Sequence, residues 1–309
     1  VELRQRIAER RGGAVLFGMT PPRSGTSPEG VRQVAERTME RLESLDLDGI
    51  ILYDIDDESD RNPTERPFPY SATLDPAKFV EELDGWKKPV IIYRCVGKYT
   101  PDDLGSWLGD QDPERVLSVF VGASSRQKDV AVTLPQAQEL RRTVQPDLLL
   151  GGVAIPERHV TRGDEHERLL SKQQAGASFF VTQVVYDVNA AKDLLSDYHY
   201  ACQAAEIAPV PVIFTLSVCG SLKTLEFLEW LGVNVPRWVR NDLRHSADTL
   251  QQSYDQCLAT ADELIAFSDR LGLPIGFNIE SVAIRKAEIE ASVELAAEVR
   301  GRLEIQREF

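Results

Sequence analysis

The chain has 309 residues, 42% hydrophobic and 27% charged, enough for a sizeable buried core and far from a disordered composition. Thirty-five Lys and Arg against 49 Asp and Glu leave a net charge of −14, which argues against nucleic acid or an anionic membrane surface as partner. No apolar run approaches the roughly 20 residues of a membrane span, and the Glu/Arg-rich start does not read as a signal peptide.

In chain order, short apolar runs alternate with longer amphipathic segments. Ala14–Met19 is the first expected strand, followed by a Pro21-Pro22 loop and a helix from about Pro28 to Leu45. Gly49–Tyr53 is the second, with a long polar loop from Asp54 to Thr73 and a short helix from Asp75. Val90–Tyr93 and Val116–Val121 are the third and fourth, with helices opening at Thr100 and near Thr133. Leu148–Val153 and Ser178–Gln183 are the fifth and sixth, with helices from about Asp164 to Ala175 and Asn189 to Ala205. Val210–Phe214, containing Pro211, and Ile275–Asn278 are the seventh and eighth, and a last helix runs to about Leu303.

Continuous apolar strands suit a parallel sheet covered on both faces, and eight βα units close into a (β/α)8 TIM barrel. The expected architecture is therefore α/β, one barrel domain over residues 1–309. The roughly 60 residues between strands seven and eight exceed one crossover and predict an extra helical layer, a conceivable self-association surface in a homo-oligomer. Cys95, Cys202, Cys219 and Cys257 form no C-x-x-C pair, so they read as reduced thiols of a cytoplasmic protein.

In such barrels chemistry sits where the strands end. The candidates there are Gly18, Met19 and Thr20; Tyr53, Asp54, Asp56 and Asp57; Arg94 and Cys95; Ser124, Ser125 and Arg126; Glu157, Arg158 and His159; Gln183, Tyr186 and Asp187; Thr215 and Ser217; and Asn278, Glu280 and Ser281. The Asp54–Asp60 run could bind a hard cation, but it lacks the spacing of a known cation loop and reads as a solvated loop; no metal site is expected. Thr100 and Ser221 read as helix caps, with a phosphate at Gly220-Ser221 as the alternative. His166, His199 and His245 read as surface or interface residues. Gln183 carries an amide that needs partners if buried, met either by a heterocyclic substrate or by a structural bond. Glu280 is the carboxylate best placed for a general acid, because burial raises a carboxyl pKa toward neutrality; it could equally hold Arg285.

Pro156-Glu-Arg-His159, Leu169-Leu-Ser-Lys-Gln-Gln-Ala-Gly-Ala177 and Phe180-Val-Thr-Gln-Val-Val-Tyr-Asp187 together resemble the methylenetetrahydrofolate reductase family, with its P-E-x-H, L-x-x-K-x-x-A-G-A and I-T-Q-x-x-(F/Y)-D segments. Val233-Asn-Val-Pro-Arg-Trp238 and Phe17-Gly-Met-Thr-Pro-Pro22 extend the likeness over about residues 15 to 300. The resemblance implies an eight-stranded barrel that reduces 5,10-methylenetetrahydrofolate to 5-methyltetrahydrofolate with NAD(P)H, normally through FAD. It assigns a folate contact to Gln183, and flavin-side contacts to Lys172 and His159.

Four positions depart from the family pattern. Its strand-one Glu is Gly18. Its strand-four Arg-Gly-Asp is replaced by Val121-Gly-Ala-Ser-Ser125. Its strand-three His falls at Ile92 or Tyr93, and its T-L-N-R becomes Asn278-Ile-Glu-Ser281. The sequence reading is thus an NAD(P)H-dependent folate oxidoreductase with a differently held flavin or none. Glu280 or Asp54 is the acid; Gln183, Tyr186 and Asn278 meet substrate; His159, Lys172, Arg158, Ser124 and Ser125 meet cofactor. The rivals are a non-catalytic or regulatory folate-binding barrel, and folate-dependent methyl transfer or demethylation.

Overall fold

The structure is a computed structural model that describes residues 2–57, 62–122 and 129–307. Eight parallel strands close in sequence order: β1 (Val15–Met19), β2 (Gly49–Leu52), β3 (Val90–Cys95), β4 (Val116–Val121), β5 (Leu150–Ala154), β6 (Ala177–Val184), β7 (Val212–Ser217) and β8 (Ile275–Glu280). The expected (β/α)8 barrel is the observed one.

Alternation along each strand divides the core in two. Leu16, Ile51, Ile91, Leu117, Val119, Phe179, Val181 and Ile213 pack inside the barrel. Val15, Phe17, Ile50, Leu52, Phe180, Phe214 and Phe277 face the surrounding helices. Gly151 on β5 makes room inside for the ring of Phe179, which would lie 2.5 Å from any Cβ there.

The helical ring comprises α1 (Leu3–Ala8), α2 (Pro28–Leu42), α3 (Pro76–Glu82), α4 (Pro101–Gly109), α5 (Leu134–Val144), α6 (Pro156–Arg162), α7 (Glu165–Gln174), α8 (Val188–Ala204), α9 (Leu222–Trp230), α10 (Arg237–His245), α11 (Thr249–Leu271) and α12 (Lys286–Arg307). Side-chain caps mark several starts as the sequence suggests: Ser27, Asp75, Thr100, Asp187, Ser221 and Asp248 each accept from a first-turn amide. Helices α9, α10 and α11 are the expected extra layer between β7 and β8.

Most strand limits shift by a residue or two from the sequence reading, and three differences are more than that or have a clear cause. Strand β7 begins at Val212, two residues late, because Pro211 has no N–H to give a ladder; its carbonyl instead accepts from Phe180 N at 2.9 Å. Residues 156–162, read as a strand-end loop, form the helix α6, with Pro156 at its first position and left-handed Gly163 closing it. The Glu/Arg-rich start folds as α1, whose Leu3 and Ile7, four apart, join the interior cluster of the barrel. Among the described residues no helix is long and apolar enough to cross a membrane.

Candidate active site at the barrel mouth

Strand register brings the best candidates onto one level. Gly18 on β1 pairs with Glu280 on β8, and Glu280 pairs with Ser217 on β7. One layer deeper, Leu16 pairs with Asn278, which pairs with Thr215. The inward alternation of β1, β7 and β8 therefore points Gly18, Ser217, Thr215, Asn278 and Glu280 toward the barrel axis.

Asn278 organises this wall. Its amide Nδ2 donates to Tyr53 Oη at 2.9 Å and to Thr215 Oγ1 at 3.2 Å. Tyr53 hydrogen-bonds Glu280 in turn, and its ring meets Tyr93 edge-on with centroids 4.8 Å apart. A Cβ at Gly18 would fall 2.8 Å from Asn278 Oδ1 and 3.1 Å from Tyr53 Cε2. The place where the family carries a glutamate side chain is filled here by Asn278 and Tyr53.

Burial lifts the Glu280 carboxyl to about 7, against the opposing hydrogen bonds from Tyr53 and Asn278. A group with that value holds and releases a proton near neutrality, which suits a general acid. Glu280 Oε2, Asn278 Oδ1 and Ser217 Oγ are buried without a hydrogen-bond partner among the described residues. Three orphaned polar atoms on two adjacent strands are uncommon, because each costs about 1–3 kcal/mol unless something meets it.

Asp54 holds a different post. Only 6% exposed, it accepts from Cys95 N at 2.8 Å, Tyr99 Oη at 2.8 Å and Lys98 Nζ at 2.6 Å. Both oxygens are engaged, so Asp54 ties the end of β2 to Cys95, Lys98 and Tyr99 at the end of β3. Glu58 to Asp60 of the acidic run lie outside the described residues.

Gln183 points inward at the end of β6, and its Nε2 donates to Leu231 O at 2.7 Å, leaving one amide hydrogen for the mouth. Tyr186 lies elsewhere. Just 2% exposed, it packs in the cluster beneath α9 and α10, and its hydroxyl meets Ser217 O at 2.8 Å and Ser253 Oγ at 2.9 Å. Three positions apart, Gln183 and Tyr186 fall on opposite faces of an extended chain, and Tyr186 lies beyond the end of β6.

The residues assigned to the flavin side are engaged by the protein. His159 Nε2 lies 2.9 Å from Asp197 Oδ2 on α8. Lys172 Nζ donates to the carbonyl of Val153, and burial pulls its pKa down. Arg158 Nη1 pairs with the fully buried Glu165 at 3.3 Å. Each contact uses one donor, and an ammonium has three and a guanidinium five, so these contacts alone do not decide whether a phosphate could be held there. Ser124 and Ser125 lie outside the described residues.

The Gly220-Ser221 corner is already occupied by a side chain of the protein. Glu288 Oε1 accepts from Gly220 N at 2.7 Å and Thr224 Oγ1 at 3.1 Å, where the sequence left open a phosphate.

Glu157, named in sequence only as a neighbour of His159, is a second unusual carboxyl. Burial lifts it to about 7, Asn234 N approaches its Oε1 at 3.4 Å, and its Oε2 has no partner. Its signal in sequence is slight: the partner, Asn234, lies 77 positions away.

The methylenetetrahydrofolate reductase family model matches residues 125–266. A solved structure of an uncharacterized protein from Clostridium thermocellum that binds two copies of 5-methyl-5,6,7,8-tetrahydrofolic acid is 44% identical, covering 97% of this chain and 99% of that one at a TM-score of 0.86. A 2,3-dimethylmalate lyase (12% identical, 99% and 97% covered, TM-score 0.44) and the 7,8-dihydropteroate synthase of Vibrio fischeri ES114 (11% identical, 95% and 94% covered, TM-score 0.47) are too distant to bear on function. No curated protein matches the chain. With the barrel, the ordered motifs and the family match in agreement, this chain belongs to the methylenetetrahydrofolate reductase family, as a divergent member with glycine at the strand-one glutamate position.

Proposed function

We propose that the barrel mouth binds a reduced folate, and that the chain reduces 5,10-methylenetetrahydrofolate to 5-methyltetrahydrofolate with hydride taken directly from NAD(P)H. The observation that carries this reading is the register of Gly18 with Glu280: the family's carboxyl is missing from β1, and another stands beside its place on the neighbouring strand. The 44% identical relative binds 5-methyltetrahydrofolate, the product of this reaction, which supports folate as the ligand class.

In this reading Glu280, protonated at neutral pH in a fraction set by its value of about 7, gives its proton to N10 of the folate. The methylene carbon–N10 bond breaks, leaving an iminium at N5. Hydride from the nicotinamide C4 then adds to the methylene carbon, giving the methyl group and NAD(P)+. Direct transfer needs the two carbons within roughly 3–3.5 Å. The Tyr53 hydroxyl and the Asn278 amide hold the carboxyl in place, and the free amide hydrogen of Gln183 meets an acceptor on the pterin edge. No step is routed through a flavin, because the strand-four Arg-Gly-Asp that the resemblance would place against the flavin ring is Val121-Gly-Ala-Ser-Ser125 in this sequence.

The second reading, a folate-binding barrel without turnover, is favoured by the filled space at Gly18. The test is NAD(P)H oxidation in the presence of methylenetetrahydrofolate, run with and without added FAD, beside a direct folate titration. The first reading expects folate-dependent oxidation that FAD leaves unchanged. Folate binding without oxidation selects the second, and failure to bind folate removes both.

A further inference from the structure

Outside the barrel wall, three helices bring two imidazoles and a carboxylate to one point. Helix α6 supplies His159, α7 supplies His166 and α8 supplies Asp197. One ligand atom from each lies within 4.8 Å of the other two. His159 Nε2 stands 2.9 Å from Asp197 Oδ2, and the two rings pack edge to face with centroids 5.2 Å apart.

Burial and hydrogen bonding make this more than a surface coincidence. His159 is only 6% exposed, yet its Nδ1 has no partner; Nδ1 of His166 is likewise buried and unpartnered. A buried imidazole nitrogen without a partner is costly, and here two occur on touching rings. Asp197, with its side chain 54% exposed, opens the group to solvent on one side.

We propose that His159, His166 and Asp197 form a divalent transition-metal site, with Zn2+ as the reference ion. Two imidazole nitrogens and a carboxylate oxygen are a donor set that zinc accepts, and three protein ligands leave a fourth position for water. Bonds of about 2.0–2.1 Å put tetrahedral ligand atoms about 3.3 Å apart, so the present separations close by side-chain rotation alone. The ion would sit between His159 Nε2 and Asp197 Oδ2, which now lie 2.9 Å apart. It ties α6, α7 and α8 together outside the strand ends that carry Gln183 and lead to Glu157, so its effect is on the rigidity of that wall. The inference does not rest on the folate reading, since no member of the group contacts Glu280, Asn278 or Tyr53 in the hydrogen bonds described.

The test is titration of the metal-stripped full chain with Co2+ and then Zn2+. Expected are one Co2+ per chain with visible absorption bands, their displacement by Zn2+, and a rise in Tm of about 5 °C on saturation with Zn2+. His166→Ala and Asp197→Asn, both at partly exposed positions, should each weaken binding by at least about 100-fold; loss of outer-shell partners alone costs roughly 10–100-fold. The metal-free Tm of each variant reports whether it folds. The proposal is overturned if no stoichiometric ion binds at micromolar Zn2+, or if binding survives both substitutions, which would locate the ion elsewhere.

Discussion

The two polar walls of the barrel mouth use their side chains in opposite ways. Along β7, β8 and β1, Glu280, Asn278 and Ser217 keep one polar atom each buried and unmet, and Glu280 is held at a value where it can exchange a proton. On α6 and α7, which follow β5, His159, Lys172 and Arg158 each have at least one partner in the protein itself, although His159 Nδ1 has none among the described residues. The lesson is that the same mouth carries two kinds of polar group. Glu280 on β8 stands in register with Gly18 and has a carboxyl oxygen unmet, whereas the residues that resemble cofactor contacts have partners on neighbouring elements.

The largest expected effect comes from the first wall. Glu280→Gln keeps the shape and the hydrogen bond from Tyr53 but removes the acid, so folate-dependent turnover should fall by about 10²–10⁴-fold with folate affinity little changed. Turnover within a few-fold of the parent would place the proton donor elsewhere. In the parent, kcat/KM should decline as pH rises through about 7, and the residual activity of the variant should lack that limb.

Next is Gly18→Ala. The added methyl lies 2.8 Å from Asn278 Oδ1, and Asn278 is pinned by Tyr53 and Thr215. Urea denaturation should show a loss of about 1–3 kcal/mol from overpacking. A neutral result would mean that this wall yields more easily than its hydrogen bonds suggest.

Tyr186→Phe probes the residue that packs beneath α9 and α10. Losing the hydroxyl leaves Ser217 O and Ser253 Oγ short of a partner and should cost about 1–3 kcal/mol in stability. Folate affinity should not move, and a marked loss there would return Tyr186 to the substrate.

The smallest effect concerns Glu157 on the second wall. Its folded value of about 7 stands above the ordinary 4.5, so the folded chain holds a proton that the unfolded chain has released between those values. Stability from this group is complete below about 4.5 and is lost as pH rises through 7. Glu157→Gln should therefore raise Tm by roughly 2–4 °C at about pH 8 and by less at about pH 5. An equal gain at both pH values would show that titration is not the cause.

Much of this molecule was legible in its sequence, and the reasons are local. Eight apolar runs separated by amphipathic segments determine a closed parallel barrel, because each strand must be covered on both faces and eight such units close. Caps such as Ser27, Thr100 and Ser221 announce helix starts because the cap bond spans three residues. Strand ends could be located well enough to place Glu280, Gln183 and Asn278 at the mouth. The tertiary structure alone decided which of these polar groups are free to meet a ligand. Asp54 is hydrogen-bonded by Lys98, 44 positions on, Lys172 donates to a carbonyl 19 positions back, and Tyr186 meets Ser253, 67 positions on. Partners at such separations leave no periodic trace, since chain closure rather than local geometry brings them together. The pairing of Gly18 with Glu280 is the sharpest case: two residues 262 positions apart become neighbours only because the first and last strands of the barrel meet.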